Sequence, residues 1–195
     1  VPGVGKTTLV KILGKLLNQD VNRIQFTNDI LPSDIIGTSI FNRDTHQFDF
    51  RNGPIFGEII LADELNRAPA KTQSALLQSM EERKVTVDGK TYDLPETFTV
   101  FATQNPNAQI GTFDLPESQL DRFCIKFNLG YPDKENSIKM LKSNSTNNGM
   151  EGIKTNLNSK ELIDIQKNIK LTKFDESLFN YIYDLLDYSR KDSKY

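Results

Sequence analysis

The first residues suited to chemistry form a glycine-rich segment at the start of the chain: Gly3, Val4, Gly5, Lys6, Thr7 and Thr8. Glycines let several backbone N–H groups converge on phosphate oxygens, and a following helix would point its positive end at the same place. The Lys6 ammonium would reach the β- and γ-phosphates of ATP, and the Thr7 hydroxyl would bind Mg²⁺. The segment therefore predicts a triphosphate site, although by itself it also fits an ordinary glycine turn before a helix.

Two adjacent acids, Asp63 and Glu64, follow an apolar run over residues 58–62. Such a run fits a buried parallel strand, which would deliver both acids to the sheet edge where ligands bind in open α/β folds. We expect Asp63 to hold Mg²⁺, directly or through water, and Glu64 to act as the general base on the attacking water. A strand that ends in a solvated acidic pair is the alternative, but the preceding glycine-rich segment favours the catalytic interpretation.

Asn105 follows the strand-like segment 97–103. An amide at the end of a strand can orient the attacking water against the γ-phosphate, so we assign Asn105 the role of a sensor. The alternative is that Asn105 starts a turn before Pro106.

Arg122 lies in the polar segment 115–123. An arginine at this place can enter the site of a neighbouring subunit and stabilise charge on the transferring phosphoryl group. It can equally form a salt bridge with Asp121 or Glu117 of its own chain. The residues alone favour the salt bridge.

Periodicity predicts an α/β fold with a three-layer parallel sheet. The strand-like segments are 23–27, 58–62, 97–103 and 124–127, and the helical segments are 7–18, 71–82, 161–168 and 176–188. An Asp-Gly turn predicts a hairpin over 85–92, and a second hairpin is possible around 47–51 in an otherwise irregular stretch, 28–57. A shift in composition after Pro132 predicts two domains, an α/β nucleotide-binding core over 1–132 and a partial helical domain over 133–195.

Composition argues against several other classes of protein. The net charge of −2 gives no support for a nucleic-acid binder. One cysteine, Cys124, and one histidine, His46, exclude an intrachain disulfide and a zinc cluster. The apolar neighbours of Cys124 predict a buried thiol. No apolar stretch approaches the ~20 residues needed to span a bilayer, and a cytoplasmic location is expected, mainly because the chemistry needs ATP.

Several separated segments, in the same order, resemble the MoxR group of AAA+ ATPases. They are RIQFTNDILPSDIIG (23–37), GPIF (53–56), ADELNRAPAKTQSALLQSMEERKVTVDG (62–89), LPETFTVFATQNP (94–106) and LPESQLDRF (115–123). The resemblance is dense over residues 1–133. It implies an AAA+ core followed by part of a helical lid, and an ATPase that forms rings, commonly hexamers, with nucleotide between subunits. It further implies a chaperone-like factor that matures a protein partner, often beside a protein with a von Willebrand A domain.

The resemblance also carries over to individual residues. It implies that Lys6 and Thr7 belong to the phosphate loop, that Asp63 and Glu64 are the acidic pair, and that Asn105 is the sensor. It favours Arg122 as the arginine finger, with Arg67 as the rival. Residues 48–53 and 85–92 are implied to be two inserted hairpins that reach toward the ring pore, whereas without the resemblance they read as sheet edges.

The chain departs from the family pattern at its ends. The strand before the phosphate loop and the first glycine of that loop are absent. The second sensor arginine is expected beyond Tyr195, because Arg190 comes too early to fill that place. We therefore expect this chain to be an internal piece of a longer protein that folds poorly when isolated.

Three other classes of function fit the sequence less well. A nucleic-acid motor or DNA-dependent ATPase on the same fold is the main alternative, and the near-neutral charge counts against it. A scaffold that binds ATP without hydrolysis would not need the acidic pair. A small-molecule kinase would need an acceptor-binding lid, which nothing in the sequence resembles.

Overall fold

The computed structural model of the chain describes residues 5–104, 112–142, 152–155 and 157–191. The chain divides into two compact units, 1–159 and 160–195. The domain boundary expected near Pro132 stays a prediction. The elements, in chain order, are α1 (Lys6–Leu17), β1 (Val21–Gln25), α2 (Pro32–Ile36), β2 (Gly37–Asn42), β3 (Gln47–Asn52), β4 (Ile59–Asp63), α3 (Ala70–Glu82), β5 (Lys84–Val87), β6 (Lys90–Asp93), β7 (Thr99–Ala102), α4 (Glu117–Leu120), α5 (Lys134–Lys142), α6 (Ser159–Lys170) and α7 (Glu176–Lys191).

The described part of the main sheet has the strand order β1-β4-β7, and both pairings are parallel. Residues 59–62 of the central strand are at most 1% exposed. Because side chains alternate along a strand, Ile60 lies in one buried cluster with Leu76 of α3, and Leu61 lies in a second with Val10 of α1. Helices therefore cover both faces of the sheet, which confirms the predicted three-layer α/β fold.

Two antiparallel hairpins accompany the sheet. One pairs β5 with β6 through Asp88 and Gly89, whose φ angles of 50° and 75° give the two left-handed residues that a tight hairpin turn requires. The other pairs β2 with β3. A hairpin is thus present in this region, but residues 47–51 form its second strand rather than the whole hairpin, and its first strand, β2, lies in the stretch predicted to be irregular.

The strand predicted over residues 124–127 is wrong, because the structure assigns no strand there. Ile125 is 75% exposed and Phe127 60% exposed. Cys124 is exposed as well, so the prediction of a buried thiol is also wrong. The physical reason is that an apolar run becomes a buried strand only where a neighbouring strand takes up its backbone hydrogen bonds, and the described sheet pairs none with this segment.

Outside the sheet, helix α5 was not predicted, since its lysines and asparagine obscured the apolar spacing. Its ends do carry a helix signal, because Glu135 lies in the first turn and Lys139 and Lys142 lie in the last. The two C-terminal helices were predicted, and the rings of Phe174 and Phe179 contact each other edge to face there. Among the described helices, none is both long and apolar enough to cross a bilayer.

Candidate active site

Helix α1 begins at a glycine in a left-handed conformation. Gly5 has φ 85° and ψ 17°, and its carbonyl accepts the first helical hydrogen bond from Leu9 N at 2.9 Å. No side chain of the described residues caps this end. Helix geometry leaves the first N–H groups, those of Lys6, Thr7 and Thr8, without intrahelical acceptors, and the helix dipole adds positive potential. This end of the helix therefore suits an anion such as a phosphate. Gly3 and Val4, which were also expected to bind phosphate, lie outside the described residues.

The carboxyl ends of β4 and β7 lie beside this helix end. Ala62 and Ala102 are paired in register, so the residues that follow them, Asp63 and Thr103, are neighbours. Lys6 Nζ lies 3.5 Å from the backbone carbonyl oxygen of Gln104. The positive charge of Lys6 also helps to lower the pKa of Asp63. The fold thus brings Lys6 and the acidic pair to one edge of the sheet.

Asp63 is mostly buried and accepts hydrogen bonds on both carboxylate oxygens. Thr103 Oγ1 donates to Oδ1 at 2.5 Å, and Arg23 Nη2 and Nε donate to Oδ2 at 2.7 and 3.2 Å. Burial acts to raise the pKa of Asp63, but the hydrogen bonds from Thr103 and Arg23, with the charges of Arg23 and Lys6, outweigh it and lower the pKa. Asp63 is therefore ionised at neutral pH, as a cation ligand must be.

Glu64 is held in a left-handed conformation with φ 57° and ψ 45°. This region is costly for a residue with a side chain, and such strain clusters at functional sites. The Glu64 carboxylate forms a salt bridge with Arg67, with Nη1 2.8 Å from Oε2. The predicted base therefore has a cation within hydrogen-bonding distance, and Arg67, the rival candidate for the finger, is engaged inside its own chain.

Arg122 follows α4 and forms a salt bridge with Glu81 near the end of α3, at 3.0 Å from Nη1 to Oε2. The intrachain salt bridge considered for this residue is thus present, but its partner is Glu81 rather than Asp121 or Glu117. The position of Glu81 on a separate helix explains why local sequence could not identify it. Asn105, the expected sensor, lies outside the described residues.

Sequence reasoning missed two residues that contact the acids, Arg23 and Thr103. Arg23 lies two residues before the strand position paired with Asp63, and such a register between distant strands leaves no trace in the sequence. Thr103 offered a weak signal, since it is a polar residue at the end of an apolar strand.

The two oxygen groups expected to hold Mg²⁺ are chemically suited to that ion. The Thr7 hydroxyl and the Asp63 carboxylate are hard ligands, and proteins usually bind Mg²⁺ through one or two carboxylates together with substrate phosphates. The described ranges contain no group of three or more His, Cys, Asp or Glu side chains that could hold a metal ion.

Comparison with known proteins identifies relatives across the chain. The model of the ATPase family associated with various cellular activities (AAA) matches residues 1–125. Protein YeaC of Bacillus subtilis (strain 168), whose name marks it as uncharacterised, is 45% identical over 191 residues, which make up 98% of this chain and 60% of YeaC. Chaperone MoxR1 of Mycobacterium tuberculosis is 48% identical over 141 residues, which make up 72% of this chain and 37% of MoxR1.

A solved structure supports the same relationship. A crystal structure of an ATPase candidate from Cytophaga hutchinsonii ATCC 33406 is 45% identical and superposes with a TM-score of 0.82. The match covers 95% of this chain and 56% of that protein. The chain thus spans less than two thirds of the length of each of these relatives.

Proposed function

The chain belongs to the AAA family of ATPases, and within it to the MoxR type, and from that premise we propose that it binds ATP with Mg²⁺ and couples ATP hydrolysis to the remodelling of a protein partner. The observation that carries this proposal is the meeting of Lys6 with the Asp63–Glu64 pair at the carboxyl edge of the sheet. The chaperone name of the mycobacterial relative and the net charge of −2 favour a protein partner over a nucleic acid.

Binding is assigned to the start of α1 and to its neighbours in the sheet. The N–H groups of Gly5 to Thr8 and the Lys6 ammonium bind the phosphates, and Gly3 and Val4 complete the loop. Thr7 and Asp63 hold Mg²⁺, which when bound supplies charge neutralisation at the phosphate oxygens. Because Asp63 keeps a lowered pKa, it stays ionised without the cation.

Hydrolysis is assigned to Glu64, which accepts a proton from the attacking water as that water approaches the γ-phosphate. Its salt bridge with Arg67 must loosen for Glu64 to act, because Oε2 accepts from the guanidinium and would have to accept from the attacking water instead. Asn105 orients the same water.

The finger is assigned to Arg122 of a neighbouring subunit in a ring, for which six subunits are the expected number. Arg67 is the weaker candidate, because its guanidinium contacts Glu64 of its own site. The Arg122 guanidinium pairs with Glu81, which is largely exposed, and solvent compensates readily when such a pair separates. A partner with a von Willebrand A domain and a cytoplasmic location belong to the same proposal.

The test compares two variants of the full-length protein. Glu64→Gln keeps the size and the position of the side chain but removes the base, so it should bind ATP with unchanged affinity and lose turnover. Lys6→Ala should lose ATP binding itself. Binding is measured with a fluorescent ATP analogue, and turnover by phosphate release with and without DNA. Wild-type hydrolysis by Glu64→Gln would refute the assigned base, and strong stimulation by DNA would favour the nucleic-acid motor.

A further inference from the structure

Thr103, directly after β7, contacts both acids of the site with a single hydroxyl. Its Oγ1 donates to Asp63 Oδ1 at 2.5 Å and accepts the backbone N–H of Glu64 at 2.9 Å. The residue is 9% exposed, so water competes little for these bonds. Both hydrogen-bonding roles of the hydroxyl are filled, which fixes its orientation.

The backbone of Thr103 holds the residues on either side of the acids. Its N–H donates to Ala62 O at 2.8 Å, and its carbonyl accepts from Leu65 N at 2.9 Å. Four hydrogen bonds from one residue therefore reach four consecutive residues, 62–65. This matters at Glu64, because a left-handed non-glycine residue persists only where its surroundings fix it.

We propose that Thr103 is a positioning residue for hydrolysis, whose hydroxyl fixes the Asp63 carboxylate and the Glu64 backbone in one rigid arrangement. The inference rests on the proposed function, since it concerns the same two acids. The Thr103 hydroxyl binds the backbone N–H of Glu64. This hydrogen bond therefore also helps to set the direction in which the Glu64 side chain points. The Arg23 bond to Asp63 is more exposed and does not reach Glu64.

The experiment uses the full-length protein and three substitutions. Thr103→Val keeps the branched shape but removes the donor and the acceptor, and Thr103→Ser keeps both. Thr99→Val is the matched control, because Thr99 begins β7, the strand that Thr103 follows, and in the described residues its hydroxyl donates to the carbonyl of Thr97 at 3.0 Å and contacts neither acid. Melting temperatures of the four proteins separate a loss of fold from a loss of geometry.

The first readout is amide hydrogen exchange in the nucleotide-free protein. Thr103→Val should speed exchange at the Glu64 amide by about tenfold, as expected for a lost hydrogen bond. The amide of Leu65 should stay protected, because its acceptor is the unchanged backbone carbonyl of residue 103. Thr103→Ser and Thr99→Val should both match the wild type at Glu64.

The second readout is turnover at saturating ATP and Mg²⁺. Thr103→Val should lower it about 10- to 100-fold, the usual cost when a group that orients a metal ligand is removed. Thr103→Ser should restore most of the rate, and ATP affinity should stay within a factor of about 3 in all variants, since no phosphate contact is lost.

Wild-type turnover by Thr103→Val would overturn the inference, and so would Thr103→Ser failing as badly as Thr103→Val or Thr99→Val losing as much activity. Unchanged exchange at the Glu64 amide in Thr103→Val would overturn it without reference to ATP. Failure of the proposed function is recognised separately, because it appears as normal hydrolysis by Glu64→Gln.

Discussion

Two of the acid–arginine pairs in the described part of the chain, Asp63 with Arg23 and Glu81 with Arg122, differ in burial. At the end of β4, the Asp63 side chain is 15% exposed and accepts from Arg23 and from Thr103. Near the end of α3, Glu81 is 63% exposed and pairs with Arg122. A buried acid with several donors is fixed in place, whereas an exposed ion pair contributes little and exchanges with solvent. The Asp63 pair therefore suits an acid that must stay in one position. The Glu81 pair suits an arginine that separates from its partner to reach a neighbouring subunit.

The largest effect is expected from removing Arg122, the arginine of the exposed pair. Arg122→Ala should lower turnover by about 10³-fold or more in the assembled protein, the usual value of an arginine finger. The Arg122→Ala protein should still bind ATP. Phosphate release and nucleotide binding measure the two properties.

A mixing experiment shows whether that arginine acts between subunits. Lys6→Ala subunits should lack ATP binding but keep Arg122, so mixing them with Arg122→Ala subunits should restore part of the turnover. Arg67→Ala is the matched comparison. The opposite result would be a large loss of turnover in Arg67→Ala that mixing restores, while Arg122→Ala stays active. Arg67 would then be the finger, and the exposure of the Arg122 pair would not mark the residue that acts between subunits.

A smaller but still large effect is expected at the fixed acid. Asp63→Asn keeps the shape and removes the charge, and turnover should fall by about 10²-fold or more, as the loss of a few kcal/mol of charge stabilisation implies. Titration of the rate with Mg²⁺ should show weaker apparent binding. Full activity at high Mg²⁺ would show that Asp63 helps only to bind the ion.

Asp63 should also make stability depend on pH. Its pKa is lower in the folded protein than in the unfolded chain, where it lies near 3.9. Its contribution is therefore present above about pH 4 and is lost as the pH falls through the lower folded pKa. The free energy of unfolding of wild type and Asp63→Asn, measured by urea denaturation, should converge in acid. A difference that stays constant down to pH 3 would contradict the assigned interactions.

These predictions draw on different amounts of sequence information. The positions of the acids could be predicted from the sequence. Residues 59–62 form an apolar run that ends at Asp63, and such a run is visible in a short stretch of sequence. The run over 124–127 has the same character, yet it is exposed and forms no strand. Hydrophobicity alone shows that a segment can be buried, whereas the neighbours that bury it are set by the whole sheet.

The side chains that contact the acids could not be predicted from the sequence, for the same reason. Arg23 and Thr103 meet Asp63 from strands 40 residues away on either side, and the parallel register that brings them together is a property of the packed sheet. Glu81 meets Arg122 through the packing of separate helices. Sequence patterns therefore indicated candidate catalytic residues by residue type, but not the residues that form hydrogen bonds or ion pairs with them.

The smallest effect is expected from Glu81. Glu81→Gln removes one charge of an exposed pair, so stability should change by less than about 1 kcal/mol. Turnover should stay within a factor of about 3, because Arg122 itself remains available. Salt screens exposed charges, so the stability difference should shrink at high salt, whereas the Asp63→Asn difference at neutral pH should persist, since that acid is mostly buried. Urea denaturation at low and high salt measures both. A large, salt-independent loss of stability in Glu81→Gln would show that the Glu81–Arg122 pair is as rigid as the Asp63–Arg23 pair at the end of β4. Separating Arg122 from Glu81 to reach a neighbouring subunit would then require a large free energy.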